Sequence, residues 1–192
     1  MKSIDKLIIC GGMSYTFLKV LGKMDKLGNS IYDEAGAKVV PEIMEEAKKY
    51  NVEVIFPVDF VCGDDFKNDC NLRDATVESG VPDGFESMDC GPKSRKLFQD
   101  TILSCNTVIW NGPAGCAEFA NFANGTKAVC EACAQVTAKG GVTIIGGGDS
   151  AAAAMKLGFG DKFSHISTGG GSTIELLEGK TLPGLARLSD KK

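Results

Sequence analysis

Gly146-Gly147-Gly148-Asp149-Ser150 is the stretch with the most obvious chemical potential. It follows the apolar run Val142-Thr143-Ile144-Ile145 and precedes an alanine-rich segment, so it reads as a strand ending in a turn that opens a helix. Unpaired N–H groups and the positive end of the helix dipole suit a phosphate there. Glycine lets backbone approach the ligand without side-chain bulk. Asp149 would repel that phosphate unless a cation lay between them, and Mg²⁺ favours one or two carboxylates plus phosphate oxygens. The same residue would serve equally well as a plain helix N-cap. Similar turns stand at Gly11-Gly12, Asn111-Gly112-Pro113-Ala114-Gly115 and Thr168-Gly169-Gly170-Gly171, each after a short apolar run. The working expectation is a phosphorylated ligand, and the alternative is four ordinary tight turns.

Several sharper motifs fail on inspection. Gly179-Lys180-Thr181 ends like a P-loop, but the first glycine would fall at Ile174. Gly146-x-Gly148-x-x-Ala151 fits a dinucleotide fingerprint, yet the ribose-binding acid expected about 20 residues later is missing near Ser167-Thr168. Cys130-Glu131-Ala132-Cys133 has no second CxxC, and His165 is the only histidine, so a zinc site has no support. The eight cysteines read as small buried hydrophobes. His165 reads as structural, near the end of a buried strand, and Glu175 as facing solvent or a helix partner. No window between residues 57 and 91 carries both the glycine and the glutamate of a calcium loop.

The elements that must position these turns come from hydrophobic periodicity. Near-continuous β-branched runs at 6–10, 52–56, 107–110, 142–145 and 163–167 predict strands covered on both faces. Helical patterns lie at 13–24, 33–50, 92–104, 117–139, 149–158 and 171–178. Pro41 predicts a kink or two helices within 33–50. Residues 57–91 read as a solvated acidic excursion with a short hairpin. The alternation predicts an α/β fold, Rossmann-like, with three α/β/α layers around a mostly parallel sheet of about six strands. In such sheets ligands lie beyond the carboxyl ends of the strands, where all four glycine turns fall.

Composition narrows the partners. The 192 residues, 43% of them hydrophobic and 24% charged, suffice for one domain with a sizeable core. Net charge is −4 and the cations are scattered, so nucleic acid is not an expected partner. No apolar stretch reaches the roughly 20 residues of a membrane span, and Met1-Lys2-Ser3-Ile4-Asp5 does not begin a signal peptide. A cytoplasmic monomer, with no membrane partner, is expected.

Taken together in order and spacing, four segments resemble phosphoglycerate kinase. They are Val108-Ile109-Trp110-Asn111-Gly112-Pro113-Ala114-Gly115, Phe122-Ala123-Asn124-Gly125-Thr126-Lys127-Ala128, Thr143-Ile144-Ile145-Gly146-Gly147-Gly148-Asp149-Ser150 and Ser164-His165-Ile166-Ser167-Thr168-Gly169-Gly170-Gly171. Gly11-Gly12-Met13, Pro57-Val58-Asp59 and Leu182-Pro183-Gly184 extend the likeness along essentially the whole chain. It covers only the carboxyl-terminal half of that family. The resemblance implies that residues 1–192 are its nucleotide-binding domain, without the acceptor domain for 3-phosphoglycerate and without the family's Gly-Ala-Lys strand and phosphate-binding lysines. Met1 would then start a fragment or a truncated product. The ligand would be Mg-ADP or Mg-ATP. Gly11, Gly12, Ile31, Met88 and Pro113 would line the adenine slot, and Glu118 would bond the ribose. Asn111 and Gly112 would border the phosphates, Asp149 would hold Mg²⁺, and Ser150 with the Gly147 and Gly148 amides would meet the terminal phosphoryl group. Cys116, Ala117 and Ser87 depart from the family's usual residues. The isolated chain is expected to be inactive. The alternatives are a non-catalytic nucleotide-binding or interaction module and, further off, an NAD-binding domain.

Overall fold

The computed structural model describes residues 1–167, 169 and 171–189. Thr168 and Gly170 of the fourth glycine turn lie outside the described residues. Five parallel strands form where the apolar runs predict them: β1 (Lys6–Ile8), β2 (Glu53–Ile55), β6 (Thr107–Asn111), β7 (Val142–Gly146) and β8 (His165–Ile166). They make two pieces. β1 pairs with β2, and β6-β7-β8 form a second parallel ladder. No ladder joins β1 to β6 among the described residues, so the expected single sheet of about six strands is replaced by these two.

The larger correction concerns residues 57–91. Instead of a solvated hairpin, β3 (Asp59–Gly63), β4 (Leu72–Thr76) and β5 (Glu86–Cys90) form an antiparallel sheet in the order β4-β3-β5. Phe60, Cys62, Ala75 and Met88 of this sheet are buried. The β3–β4 connection, with Asp64, Asp65 and Asp69, is an exposed acidic excursion.

The helices are α1 (Gly12–Val20), α2 (Glu34–Ala37), α3 (Val40–Lys49), α4 (Pro92–Leu103), α5 (Asn124–Ala138), α6 (Gly148–Lys156) and α7 (Gly171–Leu177). Pro41 separates α2 from α3, as expected, because it sits in the first turn of α3, where its missing N–H costs nothing. Glu42 opens α3 and Lys48 with Lys49 close it, each on the side the helix dipole favours. In place of a single helix over 117–139, a 3-10 turn at Ala120–Phe122 precedes α5.

Two apolar clusters hold these layers. One packs α1 and α3 against the antiparallel sheet through Tyr15, Phe17, Leu18, Val40, Phe60 and Cys62. The other packs α5 and α6 against β6 and β7 through Trp110, Val129, Cys133, Val136, Ile145 and Ala154. Ile8 and Cys10 pack against the second cluster and also against a smaller one of Ile55, Cys90 and Phe98. Burial of each large side chain contributes about 1.5–3 kcal/mol. All eight cysteines are free, and four are fully buried. His165 is exposed on β8 rather than buried. No helix among the described residues is long and apolar enough to cross a membrane.

Candidate functional site

The carboxyl ends of β1, β6 and β7 meet at one edge, and the loop after β6 is the hub. At Gly11 (φ 61°) the chain turns from β1 into α1, and a Cβ there would stand 3.0 Å from the Pro113 carbonyl oxygen. Gly12 faces Ile31, whose Cδ1 would lie 3.9 Å from an added Cβ. Gly147 (φ 92°) is the N-cap of α6, with no side-chain cap closing that end. A Cβ on Gly147 would approach Asn111 Oδ1 to 2.8 Å. The Gly112 amide donates to Ser150 Oγ at 2.7 Å, tying the loop to the first turn of α6. Trp110 Nε1 donates to the Gly112 carbonyl at 2.6 Å. Thr173 of α7 reaches the same edge, and its Cγ2 would stand 3.0 Å from a Cβ on Gly146.

The expected residues therefore gather at one edge, but at different depths. Gly12, Ile31, Asn111, Glu118, Gly148 and Asp149 are exposed, while Gly11, Gly112, Pro113 and Gly147 are half-buried. Ile31 is 69% exposed, so its side chain is open to contact at this edge. Met88 and Ser150 lie deeper than direct ligand contact needs, at 2% and 1% exposure. Met88 meets the loop through its backbone, its carbonyl accepting from the Cys116 amide at 2.8 Å. Ser150 is occupied with Gly112. The Glu118 carbonyl accepts from Lys156 Nζ at 3.0 Å, which ties the far end of the loop to the end of α6.

Asp149 is not the helix cap. It stands one residue inside α6, on the exposed face of its first turn. No group of three or more His, Cys, Asp or Glu among the described residues could hold a metal by itself. A single carboxylate suits Mg²⁺ only when phosphate oxygens and water complete its shell, and Asp149 stands exposed beside the α6 start, open to such partners.

Sequence reasoning missed the residues behind the loop. Thr126, fully buried, accepts from the Ala114 amide at 3.1 Å through Oγ1. Asp89, 1% exposed, accepts from the Gly125 and Cys90 amides. Burial pushes its carboxyl up to about 7, while those amides and Arg95 pull the other way. Ser87, one of the departures, has its hydroxyl bonded to Tyr15 Oη at 2.9 Å and its amide donating to Ser30 Oγ at 2.9 Å. It knits α1 to β5.

Comparison with known proteins agrees with this architecture. The sequence model of the family described as phosphoglycerate kinase matches residues 1–180. The phosphoglycerate kinases of Schizosaccharomyces pombe and Komagataella pastoris are each 54% identical over 188 residues, covering 98% of this chain and 45% of theirs. The chain thus spans about half the length of the curated relatives it matches. A phosphoglycerate kinase structure from Coxiella burnetii superposes with a TM-score of 0.86 at 33% identity, over 95% of this chain and 46% of that one. The enzyme from Pyrococcus horikoshii shares the fold with a TM-score of 0.77 at 24% identity. With a family model covering nearly all its residues and helices and strands laid out as in these kinases, the chain belongs to the phosphoglycerate kinase family.

Proposed function

We propose that residues 1–192 are the nucleotide-binding domain of a two-domain phosphoglycerate kinase, binding Mg-ADP or Mg-ATP at the edge where the Asn111–Glu118 loop meets the Gly11-Gly12 turn and the α6 start. In the complete enzyme a phosphoryl group passes reversibly between 1,3-bisphosphoglycerate and ADP. The observation that carries this reading is the hub loop. One short segment touches Gly11 through Pro113, Gly147 through Asn111 and Ser150 through Gly112. A base lying between Gly12, Ile31 and Pro113 would place its ribose toward Glu118 and its phosphates toward Gly147 and Gly148.

The division of labour follows from depth. The Gly147 and Gly148 amides supply fixed donors to a terminal phosphoryl group, which suits a transfer catalysed by positioning and charge stabilisation. Ser150 fixes the loop from below rather than facing the ligand. Mg²⁺, held by Asp149, would neutralise charge on the phosphate oxygens. The acceptor 3-phosphoglycerate would be bound by the half of the relatives' length that these residues do not match, so residues 1–192 alone would supply half of the active site.

Calorimetry should show that the chain binds Mg-ADP, more weakly than a complete kinase. A coupled assay with 3-phosphoglycerate and ATP should show no turnover. Robust turnover would refute the claim that half the site lies elsewhere. Thermal stabilisation by NAD⁺ but not ADP would transfer the site to a dinucleotide.

A further inference from the structure

β5 carries a carboxylate that the proposed nucleotide chemistry leaves unused. Asp89 Oδ1 and Oδ2 accept from the Gly125 amide at 3.1 and 2.9 Å, and Oδ1 accepts from the Cys90 amide at 2.8 Å. The same group lies against the hub loop. A Cβ on Gly115 would overlap the Asp89 carboxylate and come within 2.6 Å of the Phe122 carbonyl oxygen. A Cβ on Gly125 would also overlap that carboxylate and would stand 2.5 Å from Cys90 Sγ. On either side the loop is pinned to the same elements. Cys116 donates to the carbonyl of Met88, the residue before Asp89, and Ala114 donates to Thr126, the residue after Gly125. Asp89 therefore accepts hydrogen bonds from the start of α5 and at the same time packs closely against the underside of Gly115.

We infer that Asp89 is a positioning residue for nucleotide binding: its carboxylate clamps the α5 start and Gly115 from beneath and so fixes the Asn111–Glu118 loop. The inference rests on the nucleotide reading of that loop. The groups facing Asp89 are Arg95 of α4, Tyr15 of α1, Cys10 at the end of β1, Cys90 beside it and Cys116 in the loop. Burial, reinforced by Asp89, pushes the Cys10 and Cys116 thiols up to about 11 and 12, and it raises Cys90 and Tyr15 as well. These stay neutral near pH 7, which leaves Asp89 to change charge among them. Only the ionised carboxylate offers both oxygens as acceptors; a protonated one brings an O–H that needs its own partner. Loop order and nucleotide affinity should rise with pH as Asp89 ionises.

The test follows amide resonances of the whole 192-residue chain, without ligand, between pH 5.5 and 8.5, together with emission of Trp110, the sole tryptophan, which donates to Gly112. The Gly125, Cys116 and Ala114 amides should shift with one midpoint near 7, and Trp110 emission should follow. Asp89→Asn should flatten all of them; if the asparagine variant does not fold, Asp89→Glu, which moves the carboxyl by one methylene, should displace the midpoint of all of them together. Titration confined to Gly125 and Cys90, with the loop unmoved, would make Asp89 a helix cap only and overturn the inference, as would an absence of any titration. The second arm measures Mg-ADP affinity of wild type and variant at pH 6 and pH 8. The ratio of wild-type to variant affinity should be at least about threefold larger at pH 8, and the titration of ADP's own phosphate cancels in that ratio. Equal ratios overturn the inference. If neither protein binds ADP at either pH, the nucleotide reading fails, while the ligand-free titration still decides whether Asp89 orders the loop.

Discussion

Asp149 and Ser150 are neighbours on the first turn of α6 with opposite fates: one side chain exposed, the other 1% exposed and spent on the Gly112 amide. Periodicity foretold the helix start and the glycines, but it could not tell a ligand-facing hydroxyl from one that holds a loop. That distinction depends on a strand and loop nearly forty residues earlier. The exposed carboxylate is the group whose removal should discriminate between ligands. Asp149→Ala should weaken Mg-ADP by about tenfold, roughly 1.4 kcal/mol, and metal-free ADP by far less. Helix stability should change little, because α6 takes its N-cap from Gly147 and not from this side chain. Equal losses for the two ligands in calorimetry would remove Asp149 from the metal.

Among the elements, the antiparallel sheet was the least legible and α4 shows why. Parallel strands announce themselves as unbroken β-branched runs because both faces are covered. β4, Leu72–Thr76, buries only Ala75 among its five residues, so its polar faces read as loop. Acids in this region looked solvated, yet Asp59 is a buried cap. It accepts from the Lys93 and Ser94 amides at 2.9 and 2.7 Å and from Ser94 Oγ at 2.6 Å. Ser94 Oγ in turn accepts from the Val58 and Asp59 amides. Nothing in residue type separates an acid satisfied by amides from one satisfied by water; only the position of the donors does. Because the pair joins β3 to the start of α4, Asp59→Ala should cost about 2–3 kcal/mol, a lost cap plus buried amides left unpaired. Asp59→Asn, which keeps one acceptor, should cost less. Urea unfolding measures both, and a loss below about 0.5 kcal/mol for the alanine variant would mean that water replaces the carboxylate.

For the molecule as a whole, the pH dependence of stability separates Asp89 from the other acids. A folded-state value near 7 against 3.8 for the ordinary group means that the folded chain holds a proton which the unfolded chain has already released between those limits. Stability from this residue is therefore fully present below about pH 4, falls as pH rises toward 7, and is level above it. A tenfold difference in proton affinity between the two states is worth about 1.4 kcal/mol, so the loss reaches at most about 4 kcal/mol. Asp64, Asp65, Glu78 and Asp161 have carboxyls held below their usual range by hydrogen bonds at the surface, so their contributions are lost only as pH falls through the acid range. The window from pH 5 to 7 is thus left to Asp89 among the shifted carboxylates. Within it the two consequences of one ionisation run in opposite directions: global stability declines while the loop above the carboxylate becomes better ordered. Urea titrations at pH 5 and 7.5 should show wild type losing on the order of 1–4 kcal/mol relative to Asp89→Asn across that interval. Parallel pH dependences for the two chains would show that Asp89 is ionised throughout, held by its amide donors and Arg95 against the pull of burial.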